Sequence, residues 1–306
     1  METRVEFDMN KEIIYTGIKY LDIGVEDEVP MADGLKLVKP NSFLLSGRMR
    51  YAQNEYEYEE AEKASHYLVY RYEHLDVVPI GQEIKDPNAM FYGGLMALQI
   101  IKPVSTLGFV YKGTDYGGSS INAAIEALPP MHAAEWARLK QFDAACLAEA
   151  ITLIPRVQAA LMGTCVPQKN AITTLQLGME TYTYHQYIAG LLWVMGMEAI
   201  FDSQNRNDFS DKLCNLLGED TPAFPNWAEV ETPFPWTVKD IAIDLYMLRN
   251  KLAHGVDLGS AASDKKTPVD LLKIVRLHEY SQDRYYSMLL AEAACYLLCR
   301  VIEKTI

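Results

Sequence analysis

The clearest pattern of apolar and polar positions lies in the last third of the chain. Apolar residues recur there at alternating steps of three and four, which places them on one face of an α-helix: Val238, Ile241, Leu245, Leu248 and Leu252. Thr237 has the side chain of an N-cap residue, Asp240 follows three positions later as in a capping box, and Gly255 suits the position just past a helix end. The pattern predicts a helix that begins after Thr237 and ends at His254.

The same periodicity predicts helices on both sides of this one. A long helix is expected over roughly 171–202, and a short amphipathic helix over 209–217. Another short helix is expected to start at Thr267, and a last apolar helix at Ser281 or Gln282. We expect this C-terminal region to form an antiparallel bundle of at least four helices, with the apolar face described above buried.

Strand-like and helix-like patterns alternate in the first half of the chain. The Gly- and Ser-rich segment 113–120 is expected to be a flexible loop, and it lacks the Gly-Lys-Ser/Thr ending of a phosphate-binding loop. The other predictions are strands over 43–50, 66–72 and 107–111 and helices over 88–101 and 132–163, the last with a break near Pro155.

These patterns predict a mainly α protein with two domains. Residues 1–165 are expected to form an α+β or mainly α N-terminal domain whose role the pattern does not reveal. Residues 166–306 are expected to form the helical domain, with the boundary at 163–167.

Composition describes an ordinary soluble globular protein, with 49% apolar and 23% charged residues. The first seven residues lack the apolar core of a signal peptide, and the longest apolar run, around 188–197, is too short to cross a membrane. The five cysteines form no C-x-x-C pair and have no ligand-spaced histidines, so we expect reduced core thiols and neither a metal nor another cofactor. Together these features predict a cytoplasmic protein without a membrane partner.

The net charge of −13 argues against a general nucleic-acid binder, because affinity for phosphate depends on Lys and Arg. The charge is unevenly distributed: residues 236–306 carry ten Lys or Arg and nine Asp or Glu, a net charge of +1, which leaves −14 for the rest. An RNA would therefore approach the C-terminal region, whereas the acidic N-terminal part would repel it or guard the site.

The candidate chemistry lies at the end of the periodic helix. Arg249 and His254 stand five positions apart, and Asn250 lies one turn before His254 on the same face. Cleavage of RNA by its own 2′-hydroxyl needs a proton acceptor, a proton donor and a cation for the phosphate; an imidazole and a guanidinium can supply these without a metal. The other interpretation is structural: His254 caps carbonyl groups of its own helix, and Arg249 makes a surface ion pair.

An acidic residue in the earlier apolar segment is a further candidate. Glu198 is the sole charge within 191–201, so it should have a partner, and Arg249 is the first choice. Such a pair can orient the guanidinium for catalysis, or it can simply satisfy a buried charge.

The phrase from Leu248 to Gly255 resembles the R-x4-6-H helix of the HEPN superfamily, in its Apea-like branch. An apolar helix with an internal acid, a short amphipathic helix and a closing apolar helix occur here in the same order as in HEPN domains, so the resemblance covers roughly residues 170–306. It implies a HEPN-like helical bundle and a metal-independent endoribonuclease, acting as a prokaryotic antiviral defence or toxin effector.

The resemblance also implies an assembly and a mechanism. Two copies of a HEPN nuclease usually meet so that both motifs line one cleft, which implies a homodimer with RNA as substrate. One His254 would act as base and the other as acid, with Arg249 on the phosphate and Asn250 and Glu198 assisting, to leave a 2′,3′-cyclic phosphate. The alternative is a non-catalytic HEPN interaction or dimerisation domain that acts as a sensor or scaffold. In either case the acidic N-terminal part is expected to meet a protein trigger or inhibitor.

Overall fold

The computed structural model describes residues 11–24, 26–40, 64–73, 86–106, 110–114, 117–121, 142–182, 185–224, 236–253 and 282–306. These residues are 63% helical, with seven helices and a small antiparallel sheet, which confirms the prediction of a mainly α protein. They fall into two compact units: the first holds the described residues up to 121 together with 142–162, and the second holds those from 163 onward.

The first unit contains an antiparallel sheet of seven strands. The strand order is β3-β4-β5-β1-β7-β8, and the short β6 also pairs with β1. A separate parallel pair joins β2 to β9. The strands are β1 Lys11–Lys19, β2 Leu21–Asp22, β3 Glu28–Ala32, β4 Leu35–Val38, β5 His66–Glu73, β6 Ser105–Thr106, β7 Val110–Thr114, β8 Gly117–Ile121 and β9 Phe142–Asp143.

Some of the predictions for the first half of the chain are confirmed and one is wrong. The strand predicted over 66–72 is confirmed by β5, and the helix predicted over 88–101 by α1, Pro87–Ile101. The loop predicted over 113–120 is wrong, because β7 and β8 pair across this segment. Antiparallel pairing uses backbone groups that glycine and serine possess in full, so a small-residue composition does not prevent it. The strand predicted over 43–50 lies outside the described residues.

The second helix, α2, spans Ala144–Met162 and runs through Pro155, so the predicted break is wrong. Pro155 lies on the exposed side of α2, where water can satisfy the carbonyl oxygen that the proline cannot pair. On the inner side, Gln158 donates from Nε2 to the carbonyl oxygen of Met90 in α1 at 2.9 Å. Helix α1 reaches the sheet where Gly94 meets Leu35 of β4.

Helix α2 is also the one helix, among the described residues, that is long and apolar enough to cross a membrane, with a mean hydropathy of 1.3. A single helix of this kind is weak evidence for a span, because the core helix of a soluble protein passes the same test. One third of the apolar window of α2 is buried inside the structure, and its buried side chains include Leu147, Leu153 and Ile154.

The second unit is built from five helices in the described residues. They are α3 Val166–Tyr182, α4 Gln186–Phe201, α5 Arg206–Leu217, α6 Val238–Ala253 and α7 Gln282–Thr305. The single long helix predicted over 171–202 is therefore wrong, since α3 and α4 are separate. The predicted amphipathic helix and the last helix are confirmed by α5 and α7, and the helix predicted from Thr267 lies outside the described residues.

Helix α4 packs between its neighbours through close backbone approaches. The ring of Trp193 lies against Gly178 of α3, and its Nε1 donates to the carbonyl oxygen of Leu175 at 3.2 Å. Gly190 of α4 lies against Ala291 of α7, and Gly196 lies against Leu298, which is further toward the C-terminus of both helices. Because these two contacts advance in the same direction, α4 and α7 run parallel, so the bundle is not antiparallel throughout.

Helix α6 begins as the sequence predicts. Thr237 donates from its backbone N to Asp240 Oδ2 at 2.8 Å, and Asp240 N returns a bond of 3.4 Å to Thr237 Oγ1, which completes the capping box. The predicted burial of Leu245 and Leu248 is confirmed. The side chain of Leu252 lies outside the described residues.

Candidate functional site

An ion pair between two helices forms the described part of the site. Arg249 of α6 donates from Nε to Glu198 Oε2 of α4 at 2.9 Å, so the expected pairing of these residues is confirmed. The Glu198 side chain is 14% exposed and that of Arg249 33%. The pair is thus partly buried, and each charge depends on the other more than in a surface ion pair.

Asn250 supplies a second contact to the same guanidinium. Its Oδ1 accepts a hydrogen bond of 2.7 Å from Arg249 Nη1. Oδ1 therefore faces Arg249, which leaves the two amide hydrogens on Nδ2 for another acceptor. Among the described residues, Arg249 makes no further hydrogen bond, and none of them accepts from its Nη2.

Tyr246 lies against the guanidinium. The Arg249 Cζ is 5.8 Å from the centre of the Tyr246 ring, within the range of a cation–π contact. The sequence interpretation overlooked this residue, although a signal was present: Tyr246 precedes Arg249 by three positions on one helix, a spacing that brings side chains together.

The packing of α6 on α4 explains why these groups meet. Leu248 is buried and its Cδ2 lies close to Gly190 of α4, where the missing side chain lets the two helices approach. Arg249 follows Leu248 directly and extends along α4 to Glu198. The apolar contact thus fixes the helix, and the ion pair forms at its edge.

The electrostatics of Glu198 reflect this position. Burial raises the pKa of the Glu198 carboxyl above its usual range, and the charge and hydrogen bond of Arg249 act in the opposite direction. The interaction with Arg249 therefore offsets part of the cost of burying the carboxylate. Removal of the arginine would leave a poorly solvated carboxylate on α4.

His254, the residue predicted to transfer protons, lies outside the described residues, as does Gly255. The structure thus brings together three of the four predicted site residues, Glu198, Arg249 and Asn250. It tests neither the position nor the role of the fourth.

Several other cations of the second unit are engaged in the fold. Lys212 donates to the carbonyl oxygens of Phe201 and Asp202 at 2.9 and 3.3 Å, which caps the C-terminal end of α4. Lys304 donates to the carbonyl oxygen of Leu216 at 3.0 Å, at the end of α5. Two further cations form ion pairs, Lys239 with Glu219 and Arg300 with Glu303. These four cationic side chains therefore contribute to helix ends and surface pairs rather than to a shared basic groove.

The cysteines differ in their surroundings. Cys295 and Cys299 of α7 are buried, as expected for core thiols, and burial raises the pKa of the Cys295 thiol. Cys165 is exposed, so the expectation of core thiols does not hold for it. No group of three or more His, Cys, Asp or Glu side chains converges within the parts of the chain that the structure describes.

No protein-family model, no curated protein and no solved structure matches this chain.

Proposed function

We propose that this chain is a metal-independent endoribonuclease of the HEPN type, with a HEPN-like bundle over about residues 170–306. The observation that carries the proposal is the arginine on α6 whose guanidinium is fixed by Glu198 and Asn250, five residues before His254. A guanidinium held by two hydrogen bonds, together with a histidine close in sequence, offers the cation and the proton-transfer group that phosphate chemistry needs.

The reaction needs two proton transfers. The 2′-oxygen of the RNA attacks the adjacent phosphorus, the bond from phosphorus to the 5′-oxygen breaks, and a 2′,3′-cyclic phosphate forms. One His254 takes the proton of the 2′-hydroxyl, and the His254 of a second copy gives a proton to the leaving 5′-oxygen. Arg249 stabilises the charge that develops on the phosphate oxygens.

The geometry of Arg249 suggests how the phosphate would approach. Nε and Nη1 are already bonded to Glu198 and Asn250, so the phosphate would bind through Nη2 of Arg249 and Nδ2 of Asn250. Glu198 then holds the guanidinium and does not touch the substrate.

The cellular setting follows from the resemblance and the charge distribution. We propose a cytoplasmic homodimer that acts in antiviral defence or as a toxin, with both motif helices lining one cleft. The N-terminal part, which carries most of the negative charge, would bind a protein trigger or inhibitor and keep RNA away until it is needed.

A second function is favoured by two observations. Four cations of the second unit are engaged within the fold, and Arg249 is itself neutralised by Glu198. In addition, Ile188 and Met195 of α4 and Ile243 of α6 are exposed. These features suit a non-catalytic interaction domain, in which Glu198 and Arg249 serve only the structure.

The two functions are separated by one experiment. The purified full chain is incubated with end-labelled RNA in EDTA, and the product ends are analysed for a 2′,3′-cyclic phosphate or its opened form. Cleavage that His254→Ala abolishes supports the nuclease. If the purified dimer cuts no RNA, and His254→Ala still performs the cellular role, the interaction domain is the correct function.

A further inference from the structure

Aromatic rings connect Arg249 to the helix that precedes it in the chain. The ring of Tyr246 packs against that of Phe209 in α5 with 5.7 Å between centroids, and Phe209 packs against Phe201 of α4 at 5.8 Å. Phe209 is fully buried, so its ring is held in place by the surrounding packing. Tyr246, in contrast, is half-buried and lies between the Phe209 ring and the guanidinium.

Helix α5 is in turn fixed to α4. Asn205 caps its start through bonds to the backbone N of Asn207 and Asp208, and Lys212 ties its middle to the last carbonyl groups of α4. The position of the Tyr246 ring is therefore set by α5, and not by α6 alone.

The guanidinium of Arg249 is consequently held from three directions. Glu198 binds Nε, Asn250 binds Nη1, and the Tyr246 ring covers the group at 5.8 Å. The first two contacts restrain its edge. The ring lies against the guanidinium and attracts the cation through its π-electrons.

We propose that Tyr246 is a positioning residue for Arg249, and that its aromatic ring, not its hydroxyl group, performs this role. Tyr246 need not touch the RNA. It limits the orientations of the guanidinium so that Nη2 stays available for an anion. The catalytic consequence rests on the proposed function, whereas the position of Arg249 can be measured without it.

The test compares two variants. Tyr246→Phe keeps the aromatic ring and removes the hydroxyl group, whereas Tyr246→Leu has an apolar side chain without a ring. NMR of the full chain follows the Nε–Hε group of Arg249, assigned by its loss in Arg249→Lys. We expect wild type and Tyr246→Phe to share the same Hε exchange rate. Tyr246→Leu should exchange roughly two- to fivefold faster and lose the ring-current shift. Ile241→Val, a buried change on the same helix, is the control for a general loss of stability and should leave the Arg249 signal unchanged.

RNA cleavage supplies the second readout. Tyr246→Phe should cleave RNA at the wild-type rate. In Tyr246→Leu, kcat should fall by a factor similar to the increase in its Hε exchange rate. Equal exchange rates in all three proteins would overturn the proposal, and so would Tyr246→Phe behaving like Tyr246→Leu. If Tyr246→Leu does not fold, Tyr246→Met gives the same comparison with a more adaptable side chain. A wild type that cuts no RNA removes the proposed function, while the exchange rates still decide the role of Tyr246.

Discussion

At the scale of single residues, the pair of Glu198 and Arg249 joins stability to the candidate chemistry. A partly buried carboxylate is unfavourable without its partner, because burial already raises the pKa of Glu198 against the opposing effect of Arg249. The two roles that the sequence left open, orientation of the guanidinium and satisfaction of a buried charge, therefore predict different results for different substitutions.

Arg249→Met should destabilise the protein by about 1–3 kcal/mol at pH 7 and by less at pH 5. Without the arginine, the pKa of Glu198 in the folded state rises further above that of the unfolded chain, whose carboxyl ordinarily titrates near 4.5. A carboxyl with a raised folded pKa contributes stability below its unfolded pKa and loses it as the pH rises through the folded value. Urea unfolding at both pH values measures this difference.

The matched control is the double variant Glu198→Gln, Arg249→Met. The glutamine side chain carries no charge, so the extra pH dependence should disappear and part of the lost stability should return. An unchanged pH dependence in the double variant would mean that another group titrates.

The candidate chemistry predicts a ranking of substitutions at the motif. His254→Ala should lower RNA cleavage by about a hundredfold or more, because the proposed mechanism then loses its proton-transfer group. Arg249→Lys should also be severely impaired, since an ammonium keeps the charge but cannot reproduce the fork that bonds Glu198 and Asn250. Asn250→Ala should lose less activity, because an amide orients groups but transfers no proton. Rates under single-turnover conditions, with circular dichroism to verify folding, give the ranking, and a fully active His254→Ala would contradict it.

At the scale of elements, the sequence predicted those helices whose ends and apolar face are determined by residues of the helix itself. Helix α6 was predictable because its apolar stripe and the capping box of Thr237 and Asp240 both lie in the helix itself. The separation of α3 from α4 was not predictable from the sequence. Residues 187–201 are apolar on nearly every side of the helix, so they show no helical periodicity whose interruption would mark a helix start. The pairing of β7 with β8 was missed for a related reason. It is made by backbone hydrogen bonds, which the pattern of apolar and polar side chains does not indicate in this Gly- and Ser-rich segment.

Close packing of α3 on α4 yields an element-scale prediction. A Cβ at Gly178 would overlap with Nε1 of Trp193, whose ring is fully buried. Gly178→Ala should therefore destabilise the protein by about 1–3 kcal/mol, although alanine is the better helix former by about 1 kcal/mol. Thr173→Ala, at an exposed position of the same helix, is the control and should be neutral or slightly stabilising. Thermal unfolding of both variants checks the difference, and equal midpoints would show that the packing adapts freely.

At the scale of the whole molecule, the sequence predicted the pairing of Glu198 with Arg249, but not everything that surrounds the guanidinium of Arg249. The sequence named Glu198 and Arg249 as partners because a lone buried charge needs one. The contact of Tyr246 with Arg249 had a local signal, their spacing of three residues on one helix. The packing of the Tyr246 ring on Phe209 had none, because it depends on how α5 and α6 pack together. The parallel course of α4 and α7 likewise follows from glycine contacts that lie about a hundred residues apart in sequence, for example Gly190 with Ala291.

Assembly is the remaining property at this scale, and proton transfer by two His254 side chains requires two copies of the chain. The chain has a mass of 34.6 kDa, so a homodimer should scatter light as a particle of about twice that mass at micromolar concentration. Met195 is exposed on α4, three residues before Glu198, and Met195→Asp should weaken a dimer that forms through the motif face. Leu177→Asp, at a comparably exposed position on α3, is the matched control and should leave the dimer intact. A strict monomer that still cuts RNA would contradict the prediction, because one His254 would then have to act with a proton donor from elsewhere.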